Sequence, residues 1–162
     1  GKTLGLVGIG NIGREVAKRA AALGMTVIVY DPFVKEAEGV RMVSLDELLA
    51  QADYISLHLP KTQESAGMIG KAQIEKMKTG VRIINCARGG ILDEKALIEG
   101  LTSGKIAGAA VDVYDVEPPT DWTLAALENV VCSPHIGATT REAQGRVGAE
   151  VADKLIEFAR SH

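Results

Sequence analysis

The chain has 162 residues, of which 46% are hydrophobic, and it carries a formal net charge of −3 at pH 7. This length suits a single folded domain, and the hydrophobic content excludes a disordered chain. The charges are interspersed without a basic stripe, and no apolar run approaches the roughly 20 residues that span a bilayer, so we expect neither nucleic acid nor a membrane as a partner.

Short apolar runs alternate with stretches of helical period along the whole chain. In chain order the predicted elements are strand Thr3–Gly8, helix Asn11–Leu23, strand Thr26–Tyr30, short strand Arg41–Val43, a helix capped at Ser44, strand Tyr54–Leu59, helix Lys71–Met77, strand Val81–Cys86, helix Asp93–Thr102, strand Ile106–Val111, strand Val130–Ser133 and helix Thr140–Arg160. Apolar strands separated by helices are typical of parallel sheets buried on both faces. The sequence therefore predicts an α/β fold with a doubly wound parallel sheet of about seven strands in three α/β/α layers.

Chemically active groups lie at or just after the carboxyl ends of six of the predicted strands. They are the glycine loop Gly8–Gly13, then Asp31, His58, Cys86–Arg88, Asp112 with Glu117 five residues later, and His135. In open parallel sheets, ligands bind at the carboxyl ends of the strands, so we expect these groups to share one edge of the sheet.

The glycine loop follows a strand and opens a helix, with the pattern G-x-G-x-x-G. Gly8 permits a tight turn, Gly10 lets a pyrophosphate approach the backbone, and Gly13 allows the helix to pack against the strand. The N–H groups of Asn11 and Ile12 then face the phosphates at a helix N-terminus. This pattern predicts one dinucleotide-binding domain over residues 1–162, although the same loop without a ligand is a simple glycine turn.

Asp31 lies 18 residues after the last glycine of the loop. A carboxylate there can accept hydrogen bonds from the adenine ribose and would repel a 2′-phosphate, which favours NAD over NADP. The alternative is that Asp31 only forms a turn before Pro32.

Three charged side chains suit a hydride-transfer reaction. His135 can take a proton near neutral pH, Glu117 can orient its imidazole, and Arg88 can hold a carboxylate in a bidentate fork. His58 is the rival base, because it also follows a strand. Each residue alone could be a solvated loop charge, so the interpretation depends on their shared edge.

The two cysteines are Cys86 and Cys132, in separate apolar runs far apart in the chain. This spacing favours two free thiols over a disulfide, as in a reducing compartment. We therefore expect a cytoplasmic location, and no metal site is predicted.

Four ordered segments are similar to those of one enzyme family. The segments Gly8–Gly13, Asn85–Gly90, Asp112–Pro119 and Ser133–Ala138 resemble the D-isomer-specific 2-hydroxyacid dehydrogenases, and the resemblance covers essentially the whole chain. It implies that Arg88 binds the substrate carboxylate, that His135 is the acid/base and that Glu117 is its partner. It also implies that Asp112 contacts the nicotinamide side of the cofactor, and that further lining residues are Asn11, Ile12, Leu59, Cys86, Ala87, Gly137 and Ala138.

The resemblance implies an NAD-dependent enzyme acting on a small 2-hydroxy acid. Segments Leu57–Thr62 and Ala138–Gln144 are most similar to a branch of the family that uses a phosphorylated substrate. A dehydrogenase for another 2-hydroxy acid, such as glycerate or lactate, and a nucleotide-sensing, corepressor-like module are the alternatives. Because the family inserts this domain between two parts of a substrate-binding domain, we expect an excised domain that is inactive alone, from a parent that is a homo-oligomer.

Overall fold

The structure, a computed structural model, describes residues 1–161. The strands are β1 (Thr3–Val7), β2 (Thr26–Tyr30), β3 (Arg41–Met42), β4 (Tyr54–Leu57), β5 (Val81–Asn85), β6 (Ile106–Val111) and β7 (Val130–Cys132). The helices are α1 (Asn11–Ala22), α2 (Leu45–Gln51), α3 (Lys71–Lys76), α4 (Glu94–Thr102) and α5 (Arg141–Ser161). Every predicted element is present, with its ends within two residues of the predicted ones.

The seven strands form one sheet in the order β3-β2-β1-β4-β5-β6-β7. All of the strand pairs are parallel. The chain moves outward from β1 to β3 and then returns to pair β4 with the other side of β1, so the direction of winding reverses there. This confirms the doubly wound fold, and it places the switch point where such sheets bind ligands.

Alternate residues of β1 face different helices because side chains of a strand point to opposite faces. Leu4 and Leu6 pack in one core cluster with Ala17 and Ala20 of α1. On the other face, a Cβ on Gly5 would lie 2.6 Å from the side chain of Leu48 in α2. The sheet is therefore covered on both faces at β1, as the three-layer prediction requires.

Two helices begin at the caps that the sequence indicated. The hydroxyl of Ser44 accepts the N–H of Glu47 at 3.1 Å, and Asp93 accepts the N–H of Ala96 at 3.0 Å. These bonds satisfy N–H groups that the first turn of a helix leaves free.

The last helix, α5, has no buried residue among its 21. Its exposed apolar side chains are Val147, Val151, Leu155, Ile156 and Phe158. Within residues 1–161, no helix combines the length and the apolar character needed to cross a membrane.

Candidate active site

The loop between β1 and α1 contains three glycines with different steric surroundings. Gly8 has a φ of +106°, and a Cβ there would lie 2.7 Å from the backbone of the residue after β4. A Cβ on Gly13 would lie 2.4 Å from the carbonyl oxygen of Gly8, whereas the Cβ position of Gly10 has no atom within 4 Å. The backbone is thus tightly packed at two glycines and open at the third. The N–H groups of Asn11 and Ile12 follow this open point at the start of α1, where an anion is favoured.

Asp31, which follows β2, is 9% exposed. Its Oδ2 accepts the N–H of Ile9 at 2.9 Å, and its Oδ1 accepts the N–H groups of Phe33 and Val34 at 2.8 and 3.0 Å. Asp31 therefore ties the glycine loop to the loop after β2. Because a carboxylate offers about four acceptor positions, one position on Oδ2 is left for a ribose hydroxyl.

A small, mainly apolar pocket lies between the ends of β2 and β4. Its walls include Pro32, Phe33, Leu59 and Met68. Leu59 is buried, whereas Phe33 is 74% exposed. Of these four residues, only Leu59 had been predicted as a cofactor contact.

His135 and Glu117 form a hydrogen-bonded pair beyond the carboxyl ends of β6 and β7. His135 Nδ1 lies 2.7 Å from Glu117 Oε2. Hydrogen bonds from His135 and from the backbone N–H of Tyr114 lower the pKa of Glu117, so this carboxylate is charged at neutral pH. A charged carboxylate only accepts, so Nδ1 carries the shared proton and Nε2 is left to take up another.

The loop that carries His135 is held by the buried carboxylate of Asp112. Oδ1 accepts the hydroxyl of Ser133 at 2.6 Å and the N–H of Ile136 at 2.9 Å, and Oδ2 accepts the N–H of Gly137 at 2.8 Å. Burial opposes ionisation of Asp112, but these hydrogen bonds outweigh it and lower its pKa. Asp112 thus stays charged, and it fixes the segment that leads through His135.

Arg88 lies exposed on the loop after β5. Its Nη1 donates to the carbonyl oxygen of Ala87 at 2.6 Å, so the remaining guanidinium donors are available to an anion. The buried side chain of Asn85 accepts the N–H of Ala87 and donates to the carbonyl oxygen of Arg88, each at 3.1 Å. Next to them Cys86 is a free cysteine, and partial burial of its thiol together with the charge of Asp112 raises the pKa of that thiol.

His58 occupies a different environment from His135. Its Nε2 lies 3.0 Å from the hydroxyl of Ser56 within the sheet, and it is half-buried beneath the glycine loop. Burial lowers the pKa of His58, so its imidazole is neutral at pH 7. These features favour a packing role for His58 beside Gly13.

Residues 1–137 match the family of D-isomer specific 2-hydroxyacid dehydrogenases, NAD binding domain. The chain belongs to this family. As a member of it, the chain carries the predicted Rossmann-type fold for an NAD cofactor, and the family acts on small 2-hydroxy acids.

Three relatives illustrate this membership. The chain is 53% identical to D-3-phosphoglycerate dehydrogenase of Archaeoglobus fulgidus, over 99% of this chain and 31% of that protein. It is also 53% identical to hydroxypyruvate reductase of Thermotoga maritima, over 97% of this chain and 53% of that protein. The crystal structure of a glyoxylate reductase from Paecilomyes thermophila superimposes with a TM-score of 0.91 at 44% identity, covering 96% of this chain and 48% of that one. This dehydrogenase domain therefore spans about a third to a half of the relatives it matches.

Sequence reasoning missed three residues of this dehydrogenase site. Asn85 shapes the Arg88 loop, Tyr114 contacts the loops of both Glu117 and His135, and Gly89 is pressed against Tyr114. Asn85 at the end of an apolar strand and the glycine pair after Arg88 were visible signals. The contacts of Tyr114 join residues up to 19 positions apart, which no local pattern shows.

Proposed function

We propose that this chain is the NAD-binding, catalytic domain of a D-2-hydroxyacid dehydrogenase that oxidises 3-phospho-D-glycerate to 3-phosphohydroxypyruvate, a step of serine biosynthesis. The observation that carries the proposal is the His135–Glu117 pair, in which Glu117 occupies Nδ1 and leaves Nε2 as the basic nitrogen.

The residues around the glycine loop suit NAD. The open space at Gly10 admits the pyrophosphate, and the free acceptor position of Asp31 suits a ribose hydroxyl better than a 2′-phosphate. We assign further contacts with NAD to Leu59 beside the adenine and to the loop through Gly137 and Ala138. The remaining members of the proposed cofactor site are Gly8, Asn11, Ile12, Gly13, Cys86, Ala87, Arg88, Asp112 and His135.

The catalytic residues divide the work of removing two hydrogens. NAD supplies the hydride acceptor when it is bound. Arg88 pairs with the substrate carboxylate, which fixes the hydroxyl-bearing carbon. Nε2 of His135 takes the hydroxyl proton as the C–O bond becomes C=O, and Glu117 stabilises the resulting imidazolium. A positioned base of this kind contributes on the order of 10²–10⁴-fold to the rate.

Phosphoglycerate is favoured as the substrate by similarity. The relative from Archaeoglobus fulgidus bears that name, and segments Leu57–Thr62 and Ala138–Gln144 resemble the same branch. The hydroxypyruvate reductase of Thermotoga maritima is equally similar. It supports a second candidate function, a dehydrogenase for glycerate or a related 2-hydroxy acid. We further propose a homo-oligomeric parent, and the free thiols of Cys86 and Cys132 support a cytoplasmic location.

The catalytic assignment can be tested by domain exchange. This chain replaces the matched segment of the Archaeoglobus fulgidus enzyme, and NADH formation from 3-phosphoglycerate is measured. We expect turnover from the chimera and at least a 100-fold loss with His135→Asn, with NAD affinity retained. His58→Gln is the matched control and should keep most of the rate. A chimera that folds and binds NAD but does not turn over, or that loses its rate with His58→Gln rather than His135→Asn, would contradict the assignment.

The exchange does not test the substrate, because the relative supplies the other half of the cleft. That question requires the full-length protein that contains this chain. Its rates with 3-phosphoglycerate, D-glycerate and D-lactate should favour the phosphorylated acid, and a preference for D-glycerate would select the second candidate.

A further inference from the structure

Tyr114 lies where three loops of the site meet, those carrying Arg88, Glu117 and His135. We infer that Tyr114 is a positioning residue, which holds the His135–Glu117 pair in register through its hydroxyl and its backbone. The importance of this role for catalysis rests on the proposed function, whereas the contacts themselves do not.

The backbone of Tyr114 fixes one carboxylate oxygen of Glu117, the residue that pairs with His135. The N–H of Tyr114 donates to Glu117 Oε1 at 3.0 Å, while Oε2 lies 2.7 Å from His135 Nδ1. Because each carboxylate oxygen has its own partner, rotation of the carboxylate would break both bonds. Glu117 therefore presents one defined oxygen to the imidazole.

The side chain of Tyr114 fixes the backbone on the other side of the pair. Its hydroxyl donates to the carbonyl oxygen of Ser133 at 3.0 Å. His135 follows two residues later with a φ of +55°, a left-handed conformation that costs free energy for a residue with a side chain. Burial raises the pKa of Tyr114 to about 12, so its hydroxyl remains a donor throughout the neutral range.

The Arg88 loop is packed against the same residue. A Cβ on Gly89 would lie 1.8 Å from the carbonyl oxygen of Tyr114, so the two backbones touch at a point that admits no side chain. Gly89 directly follows Arg88, whose carbonyl oxygen is already held by Asn85. The anion-binding loop and the base thus take their positions from one residue.

A purely structural role for Tyr114 makes a different prediction, because the aromatic ring alone would fill the same space. Tyr114→Phe keeps the ring and removes the hydroxyl, with its bond to Ser133 and its contact with the Cys132 thiol. A packing role would leave the His135–Glu117 pair unchanged in that variant, whereas a positioning role would disturb it.

The pair can be observed directly by NMR on this 162-residue chain, without cofactor or substrate. The ¹⁵N-labelled imidazole of His135 should show a protonated Nδ1 and a bare Nε2, with a downfield Nδ1 proton that survives exchange with water because it is hydrogen-bonded. Glu117→Gln defines the spectrum of a broken pair. Tyr54→Phe is the matched control, because it also removes a tyrosine hydroxyl. Tyr54 lies at the start of β4, at the edge of the sheet opposite the site, where its ring stacks on Arg82.

We expect Tyr114→Phe to lose the downfield proton and to show a mixture of imidazole tautomers, while Tyr54→Phe matches the unmodified chain. Gly89→Ala provides a second test, because the added Cβ displaces the backbone of Tyr114 without removing the hydroxyl group of that tyrosine. A folded Tyr114→Phe variant with the unmodified His135 spectrum would overturn the inference, as would an undisturbed pair in Gly89→Ala. Since no turnover is measured, failure here would leave the proposed dehydrogenase activity to its own test.

Discussion

Two glycines of the loop between β1 and α1 allow the effects on folding and on cofactor binding to be separated by the same small change. Gly13→Ala places a Cβ 2.4 Å from the carbonyl oxygen of Gly8, and neither backbone can yield without moving α1 away from β1. Overpacking of a rigid site costs about 1–3 kcal/mol. In a chain of this size that corresponds to a fall in Tm of roughly 2–12 °C, since 1 kcal/mol shifts Tm by about 2–4 °C.

Gly10→Ala is the matched change in open space. The φ of −67° at Gly10 is one that alanine adopts without strain. Alanine should therefore stabilise the folded state by about 0.4–1 kcal/mol, because it reduces the conformational entropy of the unfolded chain. Alanine is a poorer N-cap than glycine, a loss of roughly 0.5–1 kcal/mol, so the two effects cancel. The new methyl group, however, stands where the pyrophosphate must approach. Losing one charge-assisted hydrogen bond costs about 1.5–3 kcal/mol, which weakens NAD binding at least about tenfold.

Thermal unfolding and calorimetric titration with NAD on both variants make the comparison. We expect Gly10→Ala to melt within about 2 °C of the unmodified chain and to bind NAD more weakly. Gly13→Ala should melt at a lower temperature. If Gly10→Ala bound NAD as tightly as the unmodified chain, the loop would not hold the phosphates there. If Gly13→Ala melted normally, the steric argument for close helix packing would be wrong.

Three further results are expected. Asp31→Ala should destabilise the chain by about 2–4 kcal/mol in urea unfolding, because it leaves the buried N–H of Ile9 and the N–H groups of Phe33 and Val34 without their acceptor. The same change at the exposed Asp121 should cost under about 1 kcal/mol, and equal effects would contradict the structural role of Asp31. The lowered pKa of Asp112 stabilises the fold at pH values above the unfolded-state pKa of about 4, and this stabilisation is lost as the pH falls through the lower pKa of the folded state. Asp112→Asn should therefore be less stable than the unmodified chain at pH 7 but lose less stability on acidification. Parallel profiles of stability against pH would contradict this. The 162-residue chain should bind NAD more tightly than NADP yet produce no NADH from 3-phosphoglycerate, because it spans only about a third to a half of the relatives it matches. Robust turnover by this chain would contradict the expectation.

The elements of the fold were predictable because each is encoded locally. Continuous apolar strands, the caps at Ser44 and Asp93 and the glycine after β1 each indicate an element boundary within a few residues. Strand ends were less accurate. β4 was predicted to run through Leu59, but it ends at Leu57. The chain turns there past Gly8, and His58 keeps a backbone bond from its N–H to Val7 and a side-chain contact with Ser56.

The site was predictable where one residue's chemistry points to one role. The pairing of Glu117 with His135 is a long-range hydrogen bond that the sequence interpretation anticipated, and the structure has it at 2.7 Å. Asp31 and Asp112 were assigned to the cofactor, yet their carboxylates chiefly bind backbone N–H groups of neighbouring loops. Such support comes from loops that meet only in the folded chain, so the sequence contains no local sign of it.

The exposed helix α5 has a calorimetric consequence. Most of the stability of helices in proteins comes from tertiary packing, which α5 lacks, so α5 should unfold outside the main cooperative transition. Globular proteins absorb about 0.7 kcal/mol per residue on unfolding near 60 °C, and each of the 21 residues of α5 would be missing from the measured enthalpy. Its amides should exchange with deuterium far faster than those of β1 and β4, at the centre of the sheet. A surface that covers the apolar side chains of α5 would bring the helix into the cooperative unit and restore that heat.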